Sequence, residues 1–321
     1  MNFHDYLGDQ IRFETPESFQ RTRGRLTLKA HGWRINVDQQ PAYSKRRKVL
    51  EAEGGYLLGH VGRIQKVDEK PIDFQQAEKV LQCLQFYFAF LRGFWCGPVI
   101  PEGIGVSSTL WTTWANWKLT PWLNVRSWFP TIRTREVGLL YREFQKKWSS
   151  PLWEQVIRHC IYWYIQSNAE SGSSEARTLT SFIALEMLGW AYMVEDEGLM
   201  SIGKFDSLPA ADKIEALLNS LGISTAIPQR FQRLRRAASS RHISSGPKFL
   251  ARFRNALVHP DPPNRRFLSR IDGMTKWELA ELGLTYFELA LLSILSYQGQ
   301  YRRRVFKGYA GEAEALVPWV L

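Results

Sequence analysis

The sequence predicts two units in succession, an α+β domain over residues 1–134 and an all-α helical bundle over residues 135–321. Three observations lead there. The 321 residues are enough for two domains that each bury a core of their own. Up to about Asp73, short β-prone runs alternate with Gly-containing turns. From Arg135 onward, apolar residues recur at helical spacing. A composition of 45% hydrophobic and 23% charged residues is that of a folded protein, with disorder expected only in short loops and at the ends.

The N-terminal elements follow from local chemistry. "GRLTLKAHGWRINVD" and "GGYLLGHVGRIQKVD" read as strands joined by Gly-containing turns, and together predict a small sheet. "DFQQAEKVLQCLQFYFAFLRG" reads as a helix capped by Asp73 and ended by Gly93. Its apolar stripe is Val80, Leu81, Leu84, Tyr87, Phe88 and Leu91, and it is expected to pack on the sheet. The Gly-, Pro- and Trp-rich stretch from Phe94 to Pro130 returns to short β-like runs and belongs with the same domain.

Beyond it, helices are expected at about 136–148, 151–168, 176–195, 209–221, 228–239, 247–258 and 276–303. Several begin at or just after a proline, where the missing N–H costs nothing and the fixed φ favours the first turn. The stretch from Leu282 to Tyr297 is apolar nearly all round, which predicts burial on more than one side, at the centre of a bundle or against a partner subunit, and so favours a homodimer. It is too short for a comfortable membrane span and carries Glu288, so no membrane partner is expected. There is no internal repeat.

A balance of 42 Lys+Arg against 31 Asp+Glu, net +11 with a pI near 9.6, favours polyanionic partners. Cys83, Cys96 and Cys160 are few, odd in number and far apart, which argues against a disulfide framework or a zinc site and for a reducing cytoplasm. The start of the chain carries early acids and no apolar core, unlike a signal peptide.

Several motifs have ordinary readings. "GLMSIGKF" resembles a phosphate-binding loop but has Phe205 where a hydroxyl must hold Mg²⁺, so a helix-to-helix loop is expected. The acids of "VEDEG" lack converging carboxylates and read as a solvated turn. Trp111, Trp114, Trp117, Trp122 and Trp128 could stack bases, yet Trp usually buries most of its area, so packing is the expectation. Of three basic runs (Lys45–Lys48, 230–241, Arg302–Arg304), the middle one stands out. Arg230, Arg233, Arg235, Arg236 and Arg241 recur without one acid just ahead of "FLARFRNALVHP", and form the candidate phosphate-contacting surface.

That last segment carries the candidate chemistry. In a regular helix, Arg254 and His259 would lie about 140° apart. Pro260 pushes His259 out of the α region, so the helix should end there and let the imidazole turn back toward Arg254. Leu250, Phe253, Leu257 and Val258 would anchor the helix. A histidine titrates near neutrality and can move a proton from a 2′-OH or to a leaving 5′ oxygen. Arginine keeps its proton and offers forked donors to a non-bridging phosphate oxygen. Asn255 can orient the phosphate or cap the helix end. "FIALEMLGW" places Glu186 in an apolar helix, where a lone acid needs a partner; Arg254 is the candidate.

"RFRNALVHP", near the end of a helix and ahead of a final long helix, resembles the Arg-Asn-x-x-x-His signature of the HEPN superfamily over roughly Pro151 to Arg304. The resemblance implies a HEPN-like bundle acting as a metal-independent endoribonuclease of toxin–antitoxin or anti-phage systems. Two copies would face each other to form a composite site, with Arg254 and His259 as the catalytic pair, Asn255 in support, RNA as substrate and no cofactor. A neutralising antitoxin or other regulatory partner would fit that setting. The same resemblance also admits a non-catalytic RNA- or nucleotide-binding regulatory module.

Overall fold

A computed structural model describes residues 9–14, 19–114, 118–129, 134–169, 172–306 and 313–320. The backbone divides into two units, Met1–Ser150 and Pro151–Leu321.

In the first unit, strands β1 (Asp9–Glu14), β2 (Phe19–Ala30), β3 (Trp33–Gln39) and β4 (His60–Lys66) form an antiparallel sheet in sequence order. The β2–β3 turn is His31-Gly32, both with positive φ (46° and 80°), the hairpin geometry whose twist matches the flanking strands. Leu26, Leu28 and Ala30 of β2, with Ile35 and Val37 of β3, alternate into the core. Helix α1 (Tyr43–Glu53), not foreseen from the sequence, carries the run Lys45–Lys48 on its partly exposed surface.

Helix α2 (Phe74–Arg92) is capped as expected: the Asp73 carboxylate accepts the Gln76 N–H at 2.8 Å, and Gly93 ends it in the left-handed region. Strands β5 (Glu102–Ile104) and β6 (Thr109–Thr112) pair as a short hairpin. Helix α3 (Thr134–Trp148) belongs to this unit, so the division falls one helix later than the sequence pattern indicates.

The reason lies in packing. The helix that comes closest to β2 is α3. Gly138 permits this, because a Cβ there would come within 2.8 Å of the Thr27 carbonyl oxygen. Tyr87 of α2 donates to the Val137 carbonyl and packs against Tyr141 and Phe144. The other side of α2 holds the Trp-rich segment: Trp128 is fully buried and donates to the Phe90 carbonyl, and the Arg92 guanidinium lies 4.0 Å from the Phe94 ring and 4.6 Å from the Trp122 ring. Trp122 and Trp128 are thus core residues, Trp111 packs on Phe74, Trp114 is exposed, and Trp117 lies outside the described residues.

The second unit contains α4 (Pro151–Asn168), α5 (Ser174–Trp190) continuing into a π-helical turn (Ala191–Asp196), α6 (Ile202–Ser207), α7 (Ala210–Ser220), α8 (Gln232–Ser239), α9 (Gly246–Val258), α10 (Pro262–Ser269) and α11 (Gly273–Ile294). It is mostly but not wholly helical. The last helix stops at Ile294 instead of running to Arg303; Ser296 takes a positive φ, and β7 (Gln300–Arg302) pairs with β8 (Glu314–Leu316). No helix among the described residues is long and apolar enough to cross a membrane.

Helix α11 is the central rod, buried on all sides from Glu278 to Leu292 and packed against α4, α5, α7, α8 and α9. Its two mid-helix acids sit in a closed polar cluster. Arg304, 1% exposed, donates to Glu288 and Glu281 at 3.0 Å each and to the Asn168 side-chain oxygen at 2.7 Å. Arg177 of α5 reaches Glu281 at 2.6 Å, and the Tyr164 hydroxyl of α4 donates to Glu288 at 2.6 Å. Burial alone would raise the Glu281 carboxyl, but Arg304 and Arg177 outweigh it and hold it below its ordinary 4.5. For Glu288, burial wins over Arg304 and the carboxyl is raised.

Gly138→Ala is expected to destabilise the first unit by about 1–3 kcal/mol by overpacking α3 against β2, read as a fall in the denaturant midpoint. Arg304→Ala leaves two buried acids without their main partner and should cost the second unit about 3–5 kcal/mol in the same assay. Because the Glu281 pKa is lowered on folding, its contribution is complete above 4.5 and lost as pH falls through the folded value. Glu288, raised, works in the opposite sense, contributing below 4.5 and losing that as pH rises. Glu281→Gln should therefore flatten the acid limb of the stability profile below about 4.5.

Candidate arginine–histidine site

The site is built on the second half of α9. Ser245 caps the helix by accepting the Lys248 N–H, and also donates to Glu215. Gly246 lets the first turn press onto α11, where a Cβ would strike Tyr286 and Leu282. Phe249, Leu250, Phe253 and Ala256 are buried, which turns Arg254 and Asn255 outward. Leu257 is only partly buried and Val258 is 44% exposed, so the last turn is anchored less deeply than the apolar run suggests.

Arg254 is half-buried over the Phe182 ring of α5, with its Cζ 5.7 Å from the ring centroid. One of its terminal nitrogens donates to the Asn255 side-chain oxygen at 3.1 Å, while Nε is buried without a hydrogen-bond partner. Glu186 lies one turn along α5 from Phe182. Burial raises its carboxyl above the usual range, partly offset by attraction to Arg254 and to Lys213 of α7. The Glu186 carboxyl is drawn toward the charge of Arg254, but the two form no direct ion pair.

His259 ends the helix where Pro260 requires. Its φ and ψ are −119° and 79°, outside the α region, and its N–H still donates to the Asn255 carbonyl at 2.9 Å. Asn255 thus serves both partners, its side chain binding Arg254 and its main chain binding His259. The His259 side chain is exposed, and Arg254 and His259 share no hydrogen bond in this chain.

The backbone after the helix is held by α10. Asp261 caps α10 by accepting the Asn264 N–H at 2.8 Å and donates its own N–H to the His259 carbonyl at 2.9 Å. Asn264 donates to that same carbonyl at 2.6 Å, Arg252 donates to the Asn264 side-chain oxygen at 2.6 Å, and Arg265 donates to the Pro260 carbonyl at 2.5 Å. Sequence reasoning missed Arg252, Asp261, Asn264 and Arg265. The signal was there: an Asp followed by two prolines is a helix start.

The arginines of the basic run have different surroundings. Arg230 precedes α8, is half-buried beside Tyr301, and lies over Phe231. Arg233 pairs with Asp272 at 3.8 Å, and Arg241 donates to the Ala237 and Arg270 carbonyls at 3.0 and 2.9 Å. Arg235 and Arg236 are exposed and form no ion pair among the described residues. Helix α8 is fixed through buried Leu234 and Ala238, which leaves Arg233, Arg235 and Arg236 on its exposed side, with Arg230 before it and Arg241 after it.

"GLMSIGKF" contains the short α6, started by Ser201 accepting the Lys204 N–H, with Phe205 buried. Glu195, Asp196 and Glu197 are exposed at the end of the π-helical turn. No group of three or more His, Cys, Asp or Glu side chains converges to hold a metal ion among the described residues.

Residues 150–314, which contain the whole of this site, match the family model of the YopA C-terminal domain, and residues 1–125 match that of the YopA central domain. The chain belongs to the YopA family. The C-terminal match begins at residue 150, beside the division after Ser150, and residues 126–149 lie between the two matches. A curated relative, the SPbeta prophage-derived uncharacterized protein YopA of Bacillus subtilis (strain 168), is 29% identical over 325 residues, which cover 99% of this chain and 70% of that protein. No solved structure matches the chain. Arg254, Asn255, His259, Glu186 and the α10 residues all lie in the C-terminal YopA domain.

The Glu186 carboxyl is expected to titrate above 4.5, followed by side-chain carbon NMR, and to move further up in Arg254→Gln, which removes the attraction that partly offsets burial. A downward or absent move would show that the two do not interact.

Proposed function

We propose that the second unit is a HEPN-like, metal-independent endoribonuclease that works as a homodimer, with Arg254 and His259 as its catalytic pair. One observation carries the reading: an exposed imidazole stands at the pre-proline end of α9, tied through Asn255 to a guanidinium in the preceding turn. The resemblance of "RFRNALVHP" to the HEPN signature adds to it, as do Arg235 and Arg236, two exposed cations suited to phosphate.

His259 takes the proton of the 2′-OH as that oxygen attacks phosphorus, and a proton is returned to the leaving 5′ oxygen. The P–O5′ bond breaks, leaving a 2′,3′-cyclic phosphate and a 5′-hydroxyl. Arg254 stabilises the charge that builds on the non-bridging oxygens. Only one terminal nitrogen of Arg254 is seen donating, to Asn255, so the guanidinium's other terminal N–H groups can serve a phosphate oxygen. Two copies facing across a two-fold axis would combine their sets in one cleft.

A relative carried by a prophage fits an activity used in conflict between phage and host, in the cytoplasm, with an antitoxin or other regulatory partner restraining it. The first unit would sense or position that partner or the RNA. A second reading, a non-catalytic RNA- or nucleotide-binding module, is favoured by the lack of any hydrogen bond between Arg254 and His259 within one chain.

Wild type, Arg254→Ala and His259→Ala incubated with mixed single-stranded and structured RNA in excess EDTA decide between the two. Cyclic-phosphate ends made by wild type and lost in both variants are expected. RNA bound but left intact by all three would establish the binding module. If Arg235 and Arg236 each contact a phosphate of single-stranded RNA, their joint replacement by Ala should reduce the slope of log affinity against log salt by about 1.4.

A further inference from the structure

We infer that Asn264, oriented by Arg252, is a positioning residue for His259; the inference rests on the ribonuclease reading above and extends it to the group that fixes the general base. The Arg252 guanidinium lies 4.2 Å from the Phe267 ring centroid of α10 and donates to the Asn264 side-chain oxygen at 2.6 Å. With its oxygen turned to a cation, the Asn264 amide must present its NH₂ the other way, and that group donates to the His259 carbonyl at 2.6 Å. Arg252, Asn264 and His259 thus form one directed chain, in which a charged donor polarises the amide that binds the histidine backbone.

The ordinary explanation would be that helix-end carbonyls need donors. It does not account for this arrangement. The His259 carbonyl already accepts the Asp261 N–H at 2.9 Å, and it lies at an exposed residue where water could serve it. A second donor, held by a stacked arginine from the preceding helix, adds restraint instead of satisfaction. Arg265 on the Pro260 carbonyl extends the restraint by one residue. The result ties the Cα of His259 to both α9 and α10, so that an imidazole on an otherwise frayable helix end keeps one origin. General base catalysis needs that, because misplacement by about 1 Å can cost on the order of 100-fold in rate.

The test uses the full chain carrying Asn264→Ala, Asn264→Asp, Arg252→Ala and the Arg252→Ala/Asn264→Ala pair. Asn264→Asp keeps an acceptor for Arg252 but no donor for the carbonyl, so it should fail as Asn264→Ala does. For RNA cleavage in EDTA, kcat is expected to fall about 10- to 100-fold in both Asn264 variants with KM unchanged. Arg252→Ala should fall less, and the double variant should be no worse than Asn264→Ala, as members of one chain require. In parallel, the His259 ring C2–H resonance, assigned by its loss in His259→Ala, should broaden or shift in the Asn264 variants while the melting temperature stays close to that of wild type. Unchanged kcat and an unchanged His259 resonance, or full activity in Asn264→Asp, would overturn the inference. If wild-type protein cuts no RNA, the ribonuclease reading falls, and the resonance alone still decides whether Asn264 positions His259.

Discussion

The second unit depends on one buried electrostatic closure, in which Arg304 is gripped by Glu281 and Glu288 of α11 and by Asn168 of α4. Two acids in the buried middle of a mostly apolar helix would be untenable alone. Arg304 arrives from beyond β7 and Arg177 from α5, and with the Tyr164 hydroxyl they supply donors to both carboxylates. Such clusters add little net stability compared with an apolar core of the same shape, because desolvation consumes much of the attraction. Their effect here is on uniqueness: the cluster closes only when α4, α5, α11 and the segment after β7 are in register.

That register reaches the candidate site through α11. Glu278, nearly buried one turn before Glu281, accepts the Leu234 N–H at 2.7 Å and so caps α8, whose preceding residue Phe231 offers no side-chain cap of its own. Farther along α11, Tyr286 and Leu282 receive the first turn of α9 at Gly246. Helix α5, packed on α11, carries Phe182 beneath Arg254 and Glu186 beside it. The rod therefore places both the face that carries Arg254 and the helix that carries Arg235 and Arg236. His259 is different, since it lies beyond the packed part of α9 and takes its position from α10.

The outcome is an anchored arginine with an exposed imidazole at the helix end. Core residues of α9 hold the arginine, while the imidazole stands exposed on a backbone whose carbonyl accepts two hydrogen bonds. In the proposed ribonuclease, a tethered backbone would keep the exposed imidazole in one place. A site that lies at a helix end, open on one side, also suits completion by a second copy.

Local features were legible in the sequence because they depend on neighbours only. Gly32 after His31 marks the hairpin, Asp73 and Gly93 mark the ends of α2, Pro260 ends α9 at His259, and the all-round apolar run foretells the buried α11. Each follows from backbone sterics, capping or periodicity within a few residues. The fate of charges was not legible. Arg304 reads as part of a surface run yet is buried, and Arg230, Arg233, Arg235, Arg236 and Arg241 read alike yet meet Tyr301, Asp272, solvent or carbonyl groups. Nor could periodicity assign α3 to the first unit, since that turns on a close approach between Gly138 and Thr27. By itself, then, the sequence determined where helices and turns begin and end. Only the tertiary structure decided which ionic groups are sealed inside and which stay free to meet a partner, because the residues that neutralise them lie far off along the chain, 124 positions between Tyr164 and Glu288 and 136 between Asn168 and Arg304.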